Sequence, residues 1–560
     1  MPCESRSPDR TASPQRTTPR SILAAVIAFL AWGCGSSAGS GPGTPPCTVT
    51  GVTVSTNSTT MIAGATATLL AAINASASCA GGVTWSATPA GGVLTTNGLT
   101  ATFTTTTAGS YTIRATSADD PTKSGTAAVT VTPIVPICGQ PGAVVTTHST
   151  NIAANETWAG DGVTHVVPTS ISITGSAIVT IQPCAIVALG QGVSITVRDN
   201  ARLVAAGTGA TRFVVFRRND ANQAWATLRG FTPTSLIDLT WTRLEGGGAF
   251  GGLNDPAIAV IGIGYGSQPV PVLRIDNVVI QGSRGVGVYL DANAAFTSDS
   301  RLLQITGSGG RPVHTTMMAL GSLPTGTYTG NANDEVLIHG PGANVFANLS
   351  VPDLGVPVRI PFTSMYIGPV GPATTAVTLT LQPGVIFRFP RLGAQPGMRM
   401  TFGTNGSAPN NLVGVLNAVG TAARPIVFTS GEANPAPGDW VGIWLNTANG
   451  SRLDHVEISY AGGVNGIQSN NCRPANTQDQ AALLVGSFSD QYVPPSNLMT
   501  NSRITYSAGF GINAMWLAGT VNGPDLTATN VFQNNARCRQ TFNGLTPPGT
   551  CPANGGCTAS

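Results

Sequence analysis

Of 560 residues, 27 are Lys or Arg and 24 are Asp or Glu, so charged side chains make up 9% of the chain, the net charge is only +3 and Lys123 is the sole lysine. No basic footprint for nucleic acid is present, and an apolar content of 42% excludes an intrinsically disordered chain. The 69 Gly and 40 Pro interrupt any helical periodicity, so the short alternating runs of Val, Ile, Leu and Thr define an all-β protein.

Residues 1–20 are polar and carry Arg6, Arg10, Arg16 and Arg20; the apolar run from Ser21 to Trp32 follows. As a helix this run spans about 18 Å, well short of the ~30 Å hydrocarbon core, and it reads as an export signal rather than a transmembrane helix. The stretch Ala31-Trp32-Gly33-Cys34 resembles a bacterial lipobox, which implies a lipoprotein signal peptide over 1–33 and lipidation of Cys34. The alternative is ordinary signal cleavage with Cys34 left as a free thiol. Residues 34–46 form a Gly/Ser/Pro tether of the kind that gives an anchored domain its reach. Gly35 follows the cysteine, which points to the outer membrane or cell surface of a Gram-negative bacterium. Eight further cysteines fall two by two along the exported chain, predicting disulfides Cys47–Cys79, Cys138–Cys184, Cys472–Cys538 and Cys551–Cys557.

From residue 47 to 133 short alternating strands separated by turn residues describe a β-sandwich. Through Val54, Gly64, Val83-Thr84-Trp85-Ser86, Asn97-Gly98, Gly109-Ser110-Tyr111-Thr112-Ile113 and Val129-Thr130-Val131 this segment resembles a bacterial Ig-like domain of the invasin/intimin type. The resemblance implies a spacer or adhesive stalk, with Trp85 and Tyr111 as core tryptophan and corner tyrosine rather than ligand contacts.

Beyond Cys138 the chain repeats itself at a long offset. Ile178-Val179-Thr180-Ile181-Gln182-Pro183-Cys184 matches Thr378-Leu379-Thr380-Leu381-Gln382-Pro383-Gly384, Trp225 with Leu228 matches Trp440 with Ile443, and Leu239 to Leu244 matches Leu453 to Ile458. Within each copy, apolar alternations recur every ~20 to 25 residues between Gly, Asn and Asp, which is solenoid spacing. The expected fold is a parallel β-helix of about 16 to 20 coils, each laying its strands on the preceding coil and turning alternate apolar residues inward. The runs PGVIFRF, LNAVGTAARPIVFTS, GDWVGIWL and LDHVEISYAGG resemble right-handed parallel β-helix repeats of bacterial surface proteins. The expected domains are an Ig-like domain at 47–133, β-helix units at 138–325 and 326–545, and a tail at 546–560.

Polysaccharide lyases and hydrolases use this fold, and their chemistry rests on carboxylates. Outward parity places His455, Glu457 and Ser459 in a row, but the duplicated positions of the first two are Trp241 and Arg243, which could not perform the same chemistry, and no partner carboxylate accompanies Glu457. No catalytic residue is assigned. The oxygen-rich stretch Asn331 to Glu335 lacks a central glycine and reads as a polar connection rather than a calcium turn. The histidines at 148, 165, 314, 339 and 455 show no spacing that would put two on one metal, and no cofactor is expected. The same parity faces Trp241 and Trp444 outward, where exposed rings stack on sugars unless neighbouring loops cover them. The resulting expectation is a non-catalytic surface binding or adhesion scaffold, its partners being a membrane through the lipid anchor and carbohydrate or another surface protein. A polysaccharide lyase or glycoside hydrolase is the alternative.

Overall fold

The computed structural model describes residues 46–132, 138–140, 143–249, 251, 254–265, 268–370, 375–391, 397–403, 413–446, 450–464, 480–486, 494–514 and 524–541. Cys34, Cys472, Cys551 and Cys557 lie outside these residues, and with them the lipidation and the two C-terminal disulfide assignments. The chain divides between residues 134 and 135 into two compact units. Both are built from strands; among the described residues the helical structure is the three-residue 3-10 turn Leu320–Ser322, and no helix is long and apolar enough to cross a membrane.

The first unit is a two-sheet sandwich. One sheet orders Val49–Thr56, Thr66–Ala75, Thr100–Thr104 and Val93–Asn97; the other orders Thr60–Ile62, Ser124–Thr132, Gly109–Ser117 and Val83–Thr88. This is the strand arrangement of a constant-type immunoglobulin sandwich, with the short strand Thr60–Ile62 added in parallel beside Ser124–Thr132. Alternation along the strands buries Leu69, Phe103, Ile113 and Val129 completely, and Phe103 packs its ring 5.0 Å from that of Tyr111. The Tyr111 hydroxyl donates to the Thr107 carbonyl at 3.0 Å, the tie of a tyrosine corner. Trp85 is half-buried rather than central: its indole N–H donates to the Gly98 carbonyl at 3.2 Å, at the hairpin tip.

The second unit is a right-handed parallel β-helix. Its longest sheet has thirteen strands, each laid in parallel on the last, from Ile171–Ile173 to Val531–Gln533. Reading across the rungs gives a single inward column that begins Ile171, Ile195, Leu228, Ile258, Val288 and ends Phe387, Phe428, Ile458, Ile504, Phe532. All of them are buried. Each side chain contributes about 1.5–3 kcal/mol by leaving water, and a coil obtains that only when its neighbours close the interior above and below it. The second half fills the same interior with larger rings, Phe387 and Phe428 meeting edge-on at 5.9 Å. Among the described residues this sheet has thirteen strands, and long connections such as that between Ser459 and Arg503 sit inside single coils.

The two copies of the repeat do not stack side on equivalent side. Ile186–Leu189 of the first copy lies in the twelve-stranded sheet, whereas its counterpart Ile386–Phe389 lies in the thirteen-stranded one. Leu228–Gly230 lies in the thirteen-stranded sheet, whereas its counterpart Gly442–Leu445 lies in a five-stranded one. The second copy is thus offset by one side of the coil. At the join the twelve-stranded sheet ends on Gly326–Thr327, and the two five-stranded sheets begin on Leu349–Val351 and Ser364–Ile367. The 3-10 turn bridges the gap: the Phe296 amide donates to Ser322 Oγ at 3.1 Å, and a β-carbon at Gly321 would meet the Ser350 carbonyl at 2.6 Å.

Two disulfides are present among the described residues, Cys47–Cys79 and Cys138–Cys184, with Cα separations of 4.8 and 4.6 Å; Cys538 is also disulfide-bonded. The second ties the start of the β-helix unit to the turn Gln182-Pro183-Cys184. Cys184 there has φ 66° and its duplicate Gly384 has φ 96°, so both copies make this turn through left-handed backbone. Non-reducing peptide mapping is expected to recover both cross-links, and removing either by Cys→Ser should lower stability in denaturant by about 3–4 kcal/mol, as expected for loops of this length.

Candidate functional site

Two long strands of the twelve-stranded sheet, Leu236–Glu245 and Val270–Gln281, and their neighbour Arg301–Thr306 share a kink. Trp241, Asn277 and Leu302 occupy it in successive coils with φ of 42°, 56° and 55°. Asparagine tolerates this left-handed backbone; tryptophan and leucine do so only under strain. The kink lifts their side chains outward onto a shallow groove of about 270 Å³, lined also by Phe213, Arg243 and Gln304. Leu302 is 51% exposed and Trp241 half-buried. The Arg243 guanidinium lies 3.8 Å over the Phe213 ring, which broadens the flat apolar floor. Asn277, Gln304 and Thr327 supply hydrogen-bonding groups at its edge, and no carboxylate lines it.

The charges beside the groove pair with one another. Arg274 bonds Asp238 at 2.9 Å and Asp299 at 2.7 Å, and Arg301 grips Asp276 with two bonds of 2.9 and 2.8 Å. Hydrogen bonds from the Thr297 hydroxyl and the Arg274 guanidinium hold Asp299 down at about 2. This ladder positions the strands; the charged side chain that lines the groove itself is Arg243.

Trp444 corrects the expectation of an exposed ring. It does turn away from the coil interior, but it is only 7% exposed, packed in a small outer cluster with Ala481, Leu484 and Phe510. Its indole N–H donates to the Gly486 carbonyl at 3.0 Å, and the Arg399 guanidinium lies 5.4 Å from its ring. The side chains of the next strand, Ala481–Val485, close the face that parity alone leaves open. The row His455, Glu457, Ser459 is also broken. His455 has φ 52°, the same kink as Trp241, so Arg452–Asp454 and Val456–Ser459 belong to different sheets, and His455 Nδ1 turns back to within 3.2 Å of Asp454. In the stretch Asn331 to Glu335 the oxygens serve the protein itself: Asp334 accepts from the amides of Gly330 and Asn331, and buried Glu335 is held by Arg388 at 2.8 Å. The group of described residues with metal-ligand proximity, Cys47, Cys79 and Asp119, has its two sulfurs joined in the disulfide.

Four histidines come together in pairs that spacing along the chain did not reveal. His148 Nε2 and His165 Nδ1 lie 2.9 Å apart, and His165 Nε2 lies 2.9 Å from the Ala159 carbonyl. The carbonyl can only accept, so His165 carries its proton on Nε2 and accepts from His148 on Nδ1. Trp158 stacks on His148 at 4.0 Å. On the outer face of the thirteen-stranded sheet Tyr289 and His314 stand on adjacent rungs, and His339 stacks on Tyr289 at 4.4 Å. Burial, with His339 and Arg311 nearby, pushes His314 down to about 3. The available signal was the separation of His314 and His339 by about one coil of chain.

His314 stays neutral in the folded protein while the unfolded chain takes up a proton below about 6.5. Its contribution to stability is therefore complete above that pH and is lost as pH falls from 6.5 towards 3. Thermal unfolding followed across this window should show a shallower acid-induced decline for His314→Gln than for the parent. Comparison of the chain with protein-family models and with curated proteins yields no match.

Proposed function

We propose that this is an exported, lipid-anchored surface protein whose β-helix binds carbohydrate without cleaving it, the Ig-like sandwich of invasin/intimin type serving as a stalk. The observation that carries the reading is the Trp241 groove. Two bulky residues are held in left-handed backbone to floor a shallow apolar surface edged by amides and hydroxyls, the combination that stacks on a pyranose face and bonds its hydroxyls. Glycoside hydrolysis needs two carboxyl groups flanking the bond, and this groove has none, which favours binding over hydrolysis. The disulfides fit an oxidising compartment, and the Gly33-Cys34 sequence with its tether supports an outer-membrane or cell-surface lipid anchor.

Screening the full-length chain on a glycan array, with cleavage measured in parallel, tests the reading. Trp241→Ala should weaken carbohydrate binding about 2-fold to 13-fold with the fold retained, whereas Trp444→Ala should lower stability by about 3–5 kcal/mol through a cavity in the outer cluster. Release of sugar fragments by the purified chain would replace this reading with that of a polysaccharide lyase or hydrolase.

The anchor is tested separately. Cys34→Ser should move the protein from the membrane to the soluble fraction; unchanged fractionation would remove the lipid assignment.

A further inference from the structure

A left-handed corner that the first half of the β-helix builds from glycine is built from tyrosine in the second. Gly246, Gly282 and Gly307 hold it in successive coils, with φ of 72°, 63° and 66°. The duplicated position after Ile458-Ser459 is Tyr460, φ 61°; the next coils place Tyr506, φ 55°, and Asn534, φ 55°, in register with it. The amide of Tyr460 donates to the Thr505 carbonyl at 3.2 Å and that of Tyr506 to the Gln533 carbonyl at 3.1 Å.

A bulky side chain is strained in this backbone, and the same corner is made elsewhere from Gly and Asn, which adopt it readily. What the two tyrosines create is a stack. Their ring centroids are 5.1 Å apart and their planes only 8° from parallel, close to the rise of one coil. Tyr506 is 40% exposed, and the residue one coil beyond it is the exposed Asn534 rather than a third ring. On the adjoining strand Glu457 and Arg503 are cross-strand neighbours of opposite charge.

We infer that Tyr460 and Tyr506 form a second carbohydrate platform, on which the apolar face of a neutral pyranose ring stacks against Tyr506 while the amide of Asn534 hydrogen-bonds its hydroxyls. A nucleobase would also stack, but its phosphates need several cations, and here Arg503 is already offset by Glu457. The platform is separate from the Trp241 groove and rests on different observations; together the two sites make one rigid solenoid divalent for a long polysaccharide, so that avidity exceeds the affinity of either site.

Binding of the full-length chain to soluble glucan, xylan and mannan, measured in a Trp241→Ala background, isolates the platform from the groove. Tyr506→Phe keeps the ring and should bind like its parent, whereas Tyr506→Asn should bind about 2-fold to 13-fold more weakly. Because Asn relieves the left-handed strain, its thermal midpoint should be no lower than the parent's. Loss of binding in both variants, loss in neither, a lowered midpoint in the Asn variant, or no binding to any of these polysaccharides by the Trp241→Ala chain overturns the inference. Loss of the Trp241 groove's own contribution does not affect this outcome.

Discussion

Every feature of the β-helix depends on one constraint: the backbone groups of each coil must find their hydrogen-bond partners in the coils above and below. That requirement fixes register strand by strand, and register places equivalent residues of successive coils directly over one another. Interior columns therefore become continuous stacks of Ile, Val, Leu and Phe, and outward columns become ladders of whatever polar or aromatic residues the sequence supplies. Aromatic and ionic contacts that would need separate design in another fold follow here from a single axial repeat.

The corners show the same constraint at work. A coil must turn between its sides without losing register, and left-handed residues recur at the same places in successive coils to do so. Where the corner residue is Gly the turn is relaxed and featureless. Where it is Trp241, Leu302 or Tyr506, the turn is strained and a ring or branched side chain is pushed outward. Such corners can lift an apolar side chain to the surface, as at Trp241, Leu302 and Tyr506, although the left-handed Cys184 and Ala292 stay buried. Trp444 makes the contrast. It stands on a flat side, in extended backbone, and the neighbouring rung covers it.

Much of the architecture was legible in the residues. Alternation in Val49–Thr56 and its neighbours marked the sandwich, the duplicated Gln-Pro-Cys and Gln-Pro-Gly turns marked the repeat, and cysteine order marked two cross-links that the structure contains. What stayed hidden depends on coil length, which sequence periodicity does not determine. The pairing of His148 with His165, the covering of Trp444 by Leu484, and the stacking of Tyr460 on Tyr506 all require knowing which residue lies one full coil away. Long connections such as 460–502 make that distance vary from coil to coil. Parity along a strand tells in from out; it does not tell covered from open.

The offset between the two halves has a mechanical consequence. Two sides of the coil are interrupted at the join, where Gly326–Thr327 ends one sheet and Leu349–Val351 and Ser364–Ile367 begin others, while the thirteen-stranded side passes through unbroken. Backbone hydrogen bonds along that side resist stretching, and the interrupted sides are held mainly by packing around the 3-10 turn. A pull on the β-helix is thus carried through the join by one edge, like a strap along the spine of a book, and the rod yields first by opening on the opposite side. Under load the angle between the two halves changes before either half comes apart.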